Sequence, residues 1–94
     1  MFEIRVETDG LVRLSGRLDA SEADKASEDL RALEGPMTLE CSALEYISSA
    51  GLSVVVMTFK RLHAAGHSLR LVNLQPKVRN VFTYAGLHRL LNIE

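Results

Sequence analysis

The first residues of the chain alternate between apolar and charged side chains, as in FEIRVET (2–8). This period of two predicts a strand with one buried face. Asp9 and Gly10 follow, and both residue types tolerate the positive φ angles of a two-residue hairpin turn. The segment LVRLSG (11–16) then returns as a second strand. The chain is therefore predicted to open with a β-hairpin.

The next segment, DASEADKASEDLRALEGP (19–36), changes to helical spacing. Ser21, followed three residues later by Asp24, resembles a capping box with Asp in place of Glu or Gln, and predicts the start of a helix. Gly35 can adopt the left-handed conformation that ends a helix, and Pro36 prevents its continuation. The apolar residues at helical spacing are Ala23, Ala26, Leu30 and Leu33.

The middle of the chain is predicted to hold a short strand and a longer helix. MTLEC (37–41) is predicted as a strand and residues 42–49 as a loop. A second helix is predicted over about 50–65, with Gly66 ending it. Its apolar face is expected to comprise Leu52, Val55, Val56, Phe59 and Leu62.

The last third repeats the alternation of strand and helix. SLRLVN (68–73) is predicted as a strand and QPKVRNVFTYAG (75–86) as a third helix, with Pro76 in its first turn and Gly86 at its end. LHRLLNIE (87–94) is predicted either as a final short strand or as the beginning of another helix. The inner stripe of the third helix is expected to be Val78, Val81, Phe82 and Ala85.

The predicted order is therefore ββαβαβα with a possible last strand. Strands that alternate with helices predict parallel neighbours joined by crossovers, and the opening hairpin makes the sheet mixed. The fold class is α/β, with three helices packed on a mixed β-sheet. At 94 residues and without a linker or repeat, the chain is expected to be one domain over 1–94.

Composition and charge narrow the range of functions. Eleven basic and twelve acidic residues give a net charge of −1 without a long block of either sign, which argues against a nucleic-acid surface or a polybasic membrane patch. The longest apolar run, Val54 to Met57, is too short to span a bilayer, and the N-terminus lacks a secretory pattern. A cytoplasmic protein is expected. The single cysteine, Cys41, permits no internal disulfide and is expected to be buried.

The common catalytic and cofactor motifs are absent, including the G-x-S-x-G, G-x-G-x-x-G and phosphate-loop patterns. His63 and His67 stand four residues apart, but Gly66 lies between them and no acidic residue or cysteine stands beside them, so surface histidines are expected rather than a metal site. Ser49 as a nucleophile would need a positioned base, and no spacing favours one. Neither a catalytic activity nor a cofactor is predicted.

Two adjacent serines precede the second helix in EYISSAGLSVVVM (45–57). One of them, Ser48 or Ser49, can cap the helix by accepting a hydrogen bond from a free N–H group. A cap needs only one serine, which leaves the second open to modification. The small residues Ala50 and Gly51 would allow a partner to approach closely.

The segment LECSALEYISSAGLSVVVM (39–57) resembles the signature of STAS-domain anti-sigma factor antagonists. In that family an apolar strand leads through a loop to a phosphorylatable serine and then to Gly-Leu at a helix start. The segment LSGRLDASEA (14–23) resembles the family's Gly-x-Leu-Asp turn, here Gly16, Leu18 and Asp19. The order of the elements agrees along essentially the whole chain.

The resemblance implies a partner switch. The unphosphorylated protein would bind an anti-sigma factor that is also an ATP-dependent serine kinase with a histidine-kinase-like fold, and binding would release the regulator held by that kinase. Phosphorylation of Ser49 would end the association, and a PP2C-type serine phosphatase would restore it. No nucleic-acid or membrane partner is implied.

The motif departs from the family's usual Asp-Ser-Ser-Gly. Here the four residues are Ser48, Ser49, Ala50 and Gly51, so Ser48 is a competing acceptor. Many relatives also continue into a further helix beyond the position of Glu94, so a short form is expected.

A docking surface is expected around the acceptor. Asp19 is predicted either to help form it or orient the acceptor hydroxyl, or to be a simple turn residue. Two other functions stay open: an unphosphorylated accessory subunit of an ABC-type lipid transporter, in which Ser49 only caps a helix, and a small serine hydrolase. The residues predicted to contact a partner are Asp19, Ser48, Ser49, Ala50, Gly51, Ser53, Val54 and Met57.

Overall fold

A computed structural model describes all 94 residues and confirms the α/β class with a mixed five-stranded sheet and three helices. The predicted order of elements is also confirmed, and a short 3₁₀ turn followed by a two-residue strand closes the chain. The elements are β1 (Phe2–Thr8), β2 (Leu11–Leu18), α1 (Ala23–Arg31), β3 (Met37–Ile47), α2 (Ser49–Ala64), β4 (Leu69–Val72), α3 (Pro76–Tyr84), the 3₁₀ turn (Leu87–Arg89) and β5 (Asn92–Ile93).

The order of strands across the sheet is the same as their order along the chain. β1 and β2 are antiparallel, whereas β2, β3, β4 and β5 are parallel neighbours. Crossovers between parallel strands are right-handed. Because every crossover advances in the same direction, all three helices lie on one face of the sheet. A single cluster of 20 buried residues fills the space between that face and the helices.

The opposite face of the sheet carries no helix and is held by polar contacts. Glu40, on β3, is only 9% exposed. Burial raises its pKa, but hydrogen bonds from Asn73 and Ser42, together with the charge of Arg13, outweigh burial and lower it. Its carboxylate accepts from Arg13 at 3.0 Å, the Ser42 hydroxyl at 2.9 Å and the Asn73 amide at 2.8 Å. This ionised group joins β2, β3 and the end of β4.

The prediction of a loop over 42–49 is wrong. β3 continues to Ile47 and pairs with β2 along its full length. The register shifts twice, and each shift adds one residue on β3 relative to β2. The extra residues interrupt the period of two that identifies a strand in a sequence. The buried apolar residues of β3 beyond Met37 are therefore unevenly spaced: Leu39, Cys41, Leu44 and Ile47.

The predicted helix ends are confirmed at Gly66 and Gly86, which directly follow the C-cap residues of α2 and α3, whereas α1 already ends at Arg31, four residues before Gly35. Gly35, Gly66 and Gly86 have φ angles of 92°, 82° and 76°, in the left-handed region that favours glycine. Pro76 occupies the first turn of α3, as predicted, with Gln75 as the N-cap residue.

The predicted capping box at Ser21 is wrong. α1 begins at Ala23, and its N-cap residue is Glu22, whose side chain makes no capping hydrogen bond. The Ser21 hydroxyl donates instead to a carboxylate oxygen of Asp19 at 2.7 Å. The sequence pattern misplaces the helix start by one residue: Ser21 precedes the N-cap residue, and its side chain bonds within the turn before α1.

α2 is buried over a wider arc than its predicted stripe. Val55 and Leu62 are buried as expected, but Val54 and Thr58 are also only 7% and 5% exposed. The helix packs against α1 as well as against the sheet. The side chain of Arg61 extends this contact by donating to the carbonyl oxygen of Leu30, in the last turn of α1, at 2.9 Å.

Candidate functional site

The two segments that carry the family resemblance, 14–23 and 39–57, meet at the carboxyl ends of β2 and β3. β2 and β3 are parallel, and Leu18 pairs with Ile47 at their carboxyl ends. The backbone N–H of Ser48 donates to the carbonyl oxygen of Leu18 at 2.9 Å. Asp19 and Ser48, the residues that follow these strands, therefore leave the sheet side by side.

Ser48 is the cap of α2. Its backbone is extended, with φ −91° and ψ 175°, and its hydroxyl accepts from the N–H of Gly51 at 3.1 Å. Its carbonyl oxygen accepts the first intrahelical hydrogen bond, from the N–H of Leu52, at 2.8 Å. This geometry is that of a serine N-cap. The sequence alone does not decide which of the two serines caps α2, and the structure assigns the cap to Ser48.

Ser49 is the first residue of α2 and is exposed. Its hydroxyl takes no part in capping, because Ser48 already supplies the cap. The N–H groups of Ser49 and Ala50 precede the first intrahelical hydrogen bond and face the N-terminal end of the helix. An anionic group attached to Ser49 would lie beside free N–H donors and the positive end of the helix dipole.

Gly51 serves the interior of the fold rather than a partner. A Cβ atom at this position would lie 2.8 Å from each of three atoms: Cγ and the carbonyl oxygen of Leu18, and Cγ1 of Ile47. The absence of a side chain lets α2 begin directly against the ends of β2 and β3. The prediction that Gly51 lies on the docking surface is therefore corrected, because the residue is buried.

One stripe of α2 faces away from the core. Ser49, Ser53 and Met57 follow each other at intervals of four residues, and all three are exposed. We call them the outer stripe. Met57 is 62% exposed, which is unusual for a large apolar side chain, whereas Val54 is 7% exposed and part of the core. Val54 is therefore removed from the predicted contact residues, and half-buried Ala50 lies at the border.

Asp19 adopts the geometry of a turn residue. One carboxylate oxygen accepts from the hydroxyl of Ser21 at 2.7 Å and from its N–H at 3.1 Å. The hydrogen bond from the Ser21 hydroxyl is the main reason that the pKa of Asp19 lies below its ordinary value. The Asp19 carboxylate is thus bonded within its own turn and not to Ser49, while its part in docking stays a prediction.

A contact that sequence reasoning missed lies next to the serines. The guanidinium carbon of Arg17 stands 4.3 Å from the ring centroid of Tyr46, in the range of a cation–π interaction. The two residues are register partners on β2 and β3. The contact depends on the pairing of β2 with β3 beyond residue 41, where the sequence pattern predicts a loop.

The histidines form no metal site with their neighbours. His63 stacks on Phe59, with ring centroids 5.4 Å apart, and Gly66 ends α2 before His67. No group of three or more His, Cys, Asp or Glu side chains is placed to hold a metal ion. None of the helices combines the length and the apolar character needed to cross a bilayer.

The family of the chain follows from its sequence and agrees with this geometry. The profile of the STAS domain matches residues 3–94. The chain belongs to the STAS domain family.

Two curated relatives are similar over most of this chain. BtrV of Bordetella bronchiseptica, provisionally named an anti-sigma factor antagonist, is 36% identical over 77 residues, which span 78% of this chain and 66% of BtrV. The anti-sigma-B factor antagonist of Bacillus subtilis is 33% identical over 90 residues, which span 93% of this chain and 83% of that protein.

Solved structures share the fold at lower identity. A Thermotoga maritima protein, provisionally described as an anti-sigma factor antagonist, has a TM-score of 0.82 at 24% identity and covers 98% of this chain and 84% of its own. The Bacillus cell fate determinant SpoIIAA in its phosphorylated form has a TM-score of 0.69 at 20% identity and covers 100% and 91%, respectively. These structures establish the common fold.

Proposed function

We propose that this protein is an anti-sigma factor antagonist whose association with an anti-sigma factor is switched off by phosphorylation of Ser49. The single observation that carries the proposal is the division of roles between the two serines. Ser48 caps α2, whereas the hydroxyl of Ser49 is exposed at the first position of the helix. The names of the two curated relatives supply the class of partner.

The site suits a switch that acts through charge. Phosphorylation adds a charge of about −1.5 to −2 at neutral pH. The fold tolerates it, because the added group meets free N–H donors at the start of α2. A partner docked on the outer stripe would have to desolvate the same charge. A loss of about 3 kcal/mol in binding free energy weakens association roughly a hundredfold.

The partner is an anti-sigma factor that is also a serine kinase of histidine-kinase-like fold. It would transfer the γ-phosphoryl group of ATP to the Ser49 oxygen, releasing ADP, and a PP2C-type phosphatase would hydrolyse the product. Under this proposal the protein is a regulator rather than an enzyme, and it acts in the cytoplasm, where ATP is available.

Incubation with ATP and the cognate kinase, followed by peptide mass spectrometry, tests the acceptor. We expect one phosphate, on Ser49, in the wild type and in Ser48→Ala, and none in Ser49→Ala. Phosphate on Ser48 in the wild type would contradict the assignment. An unmodified protein that captures a transporter ATPase would favour the accessory-subunit alternative instead.

Binding measurements test the charge mechanism separately. Ser49→Ala should bind the kinase in the presence of ATP without release, and Ser49→Asp should bind at least tenfold more weakly than the wild type. Ser68→Asp is a matched control: Ser68 is also exposed, but it precedes β4 at the opposite end of the sheet, where its carbonyl oxygen accepts from the N–H of Met37. Equal loss of binding in both aspartate variants would show that the position of the charge is irrelevant.

A further inference from the structure

β1 is an edge strand whose outer side has no neighbour in the chain. The N–H of Arg17 donates to the carbonyl oxygen of Met1 at 2.8 Å, which fixes the alternation of hydrogen-bonded pairs between β1 and β2. In this alternation the N–H and C=O groups of Phe2, Ile4 and Val6 point away from β2. The edge therefore offers a row of free donors and acceptors to another strand.

The same three residues leave an apolar border uncovered. Their side chains lie on the helix-covered face of the sheet, beside the core. Phe2 and Ile4 are only half-buried, and Val6 is 52% exposed. A strand added to this edge would satisfy the free backbone groups and cover the apolar side chains together.

The charge pattern of β1 indicates which strand fits. The other face of β1 carries Glu3, Arg5 and Glu7. In an antiparallel pair of two copies centred on Ile4, Glu3 of each copy stands opposite Arg5 of the other, and Ile4 stands opposite Ile4. Opposite charges in directly facing positions stabilise a strand pair, and like charges destabilise it.

Neighbouring registers are less favourable. A pair centred on Arg5 opposes two arginines and sets Glu3 against Glu7 twice. A pair centred on Val6 needs a regular strand beyond that residue, but the register of β1 is irregular between Val6 and Thr8. The sequence FEIRVET is therefore complementary to itself in one main register.

Arg5 is poorly matched within its own hairpin. Its register partner on β2 is Arg13, so two cations face each other. Its contact with Glu7 is long, at 3.9 Å, and its side chain is 65% exposed. In the register centred on Ile4, Arg5 of one copy faces Glu3 of the other, which is a more favourable partner than Arg13 of its own chain.

We propose that two copies of this chain associate through β1, in an antiparallel register centred on Ile4, and join their sheets into one. The association is independent of the phosphorylation proposed above. Ser49 follows β3, which β2 separates from this edge.

Cysteine cross-linking tests the register with exposed residues. Positions 3 and 5 of opposite copies would form a closely spaced pair that is not hydrogen-bonded, with a Cα–Cα distance of about 4.5 Å, which a disulfide can bridge. Mixed Glu3→Cys and Arg5→Cys proteins should cross-link at least tenfold more than either alone. The native Cys41 should not compete, because burial raises the pKa of its thiol to about 12. Equal yields, or a higher yield from Arg5→Cys mixed with Glu7→Cys, would overturn the register.

Sedimentation velocity tests the association itself. The wild type should shift with concentration from 10.4 kDa towards twice that mass. Arg5→Glu makes all three charged positions acidic and opposes like charges in every register, so the dissociation constant should rise at least tenfold. Glu3→Arg combined with Arg5→Glu should restore the dissociation constant of the wild type. A wild type that stays monomeric at millimolar concentration, or an Arg5→Glu variant as dimeric as the wild type, would overturn the proposal.

Discussion

The starts of α1 and α2 lie side by side, yet they are built differently. Both helices follow parallel strands, and the backbones of the two strand ends are hydrogen-bonded through Leu18 and Ser48. At α2 a serine caps the helix, and a glycine allows it to touch both strands. At α1 the N-cap Glu22 makes no capping hydrogen bond, and the Ser21 hydroxyl is bonded to Asp19.

The two helix starts differ in the hydrogen bonds that their serine hydroxyls make. At α1 the hydroxyl of Ser21 lies one residue before the N-cap position and donates a hydrogen bond to Asp19. At α2 the hydroxyl belongs to the N-cap residue itself, Ser48, and accepts from the backbone N–H of Gly51. The result is a firmly positioned start for α2, which is the segment that presents Ser49. Three predictions test this contrast, beginning with the largest expected effect.

Gly51→Ala should be the most damaging change. The added methyl group would press on Leu18 and Ile47, including a backbone oxygen that cannot rotate away. We expect a loss of about 2–3 kcal/mol in the free energy of unfolding, at the upper end of overpacking effects, measured by urea denaturation. Ser53→Ala, on the exposed stripe of the same helix, should change it by less than about 0.5 kcal/mol. Equal stability of Gly51→Ala and the wild type would show that α2 is not held against the strand ends.

Ser48→Ala should cost about 1 kcal/mol of stability, because it removes the only side-chain cap of α2. Ser21→Ala should cost less than about 0.5 kcal/mol, since Ser21 bonds an exposed carboxylate and caps no helix. Urea denaturation of both variants measures the difference. A larger loss in Ser21→Ala than in Ser48→Ala would reverse the comparison between the two helix starts.

The smallest expected effect is a dependence of the free energy of unfolding on pH. It should arise at the start of α1 and not at the start of α2. The pKa of Asp19 is lowered from its ordinary value of 3.8, mainly by the hydrogen bond from the Ser21 hydroxyl. Its stabilising contribution is therefore present above about pH 4 and is lost as the pH falls through the folded-state pKa. The stability difference between the wild type and Asp19→Asn should shrink on acidification.

The start of α2 supplies the control for that measurement. Its cap uses a neutral hydroxyl and a backbone N–H, so the penalty of Ser48→Ala should stay constant over the same pH range. In a Ser21→Ala background, the pH dependence attributed to Asp19 should also decrease. An Asp19→Asn difference that grows on acidification would contradict the sign of the shift.

Much of the fold could be predicted because its signals are local. The alternation in β1, the glycines that end α2 and α3 and the proline at the start of α3 each act through the backbone of a few residues. The continuation of β3 to Ile47 could not be predicted this way. Its register shifts depend on pairing with β2, and they remove the alternation by which a strand is recognised.

The candidate site was predicted in part. The sequence identified the serine pair, but it could not decide which hydroxyl caps α2, since that depends on where the helix begins. The sequence also predicts Val54 and Gly51 as part of the docking surface, although both are buried. Val54 is part of the core between the helices and the sheet, and Gly51 is buried against the ends of β2 and β3. These are contacts between elements distant in the chain.

The sequence by itself determined the types and order of the elements, because hydrophobic periodicity, turn residues and helix breakers act over a few neighbouring positions. Only the tertiary structure decided which polar and small residues are free for function. The burial of Gly51 depends on the ends of β2 and β3, that of Val54 on the core between the helices and the sheet, and the backbone N–H of Ser48 is bonded to the end of β2. Ser49 is left exposed after those contacts have been made, and no local pattern distinguishes it from its neighbour.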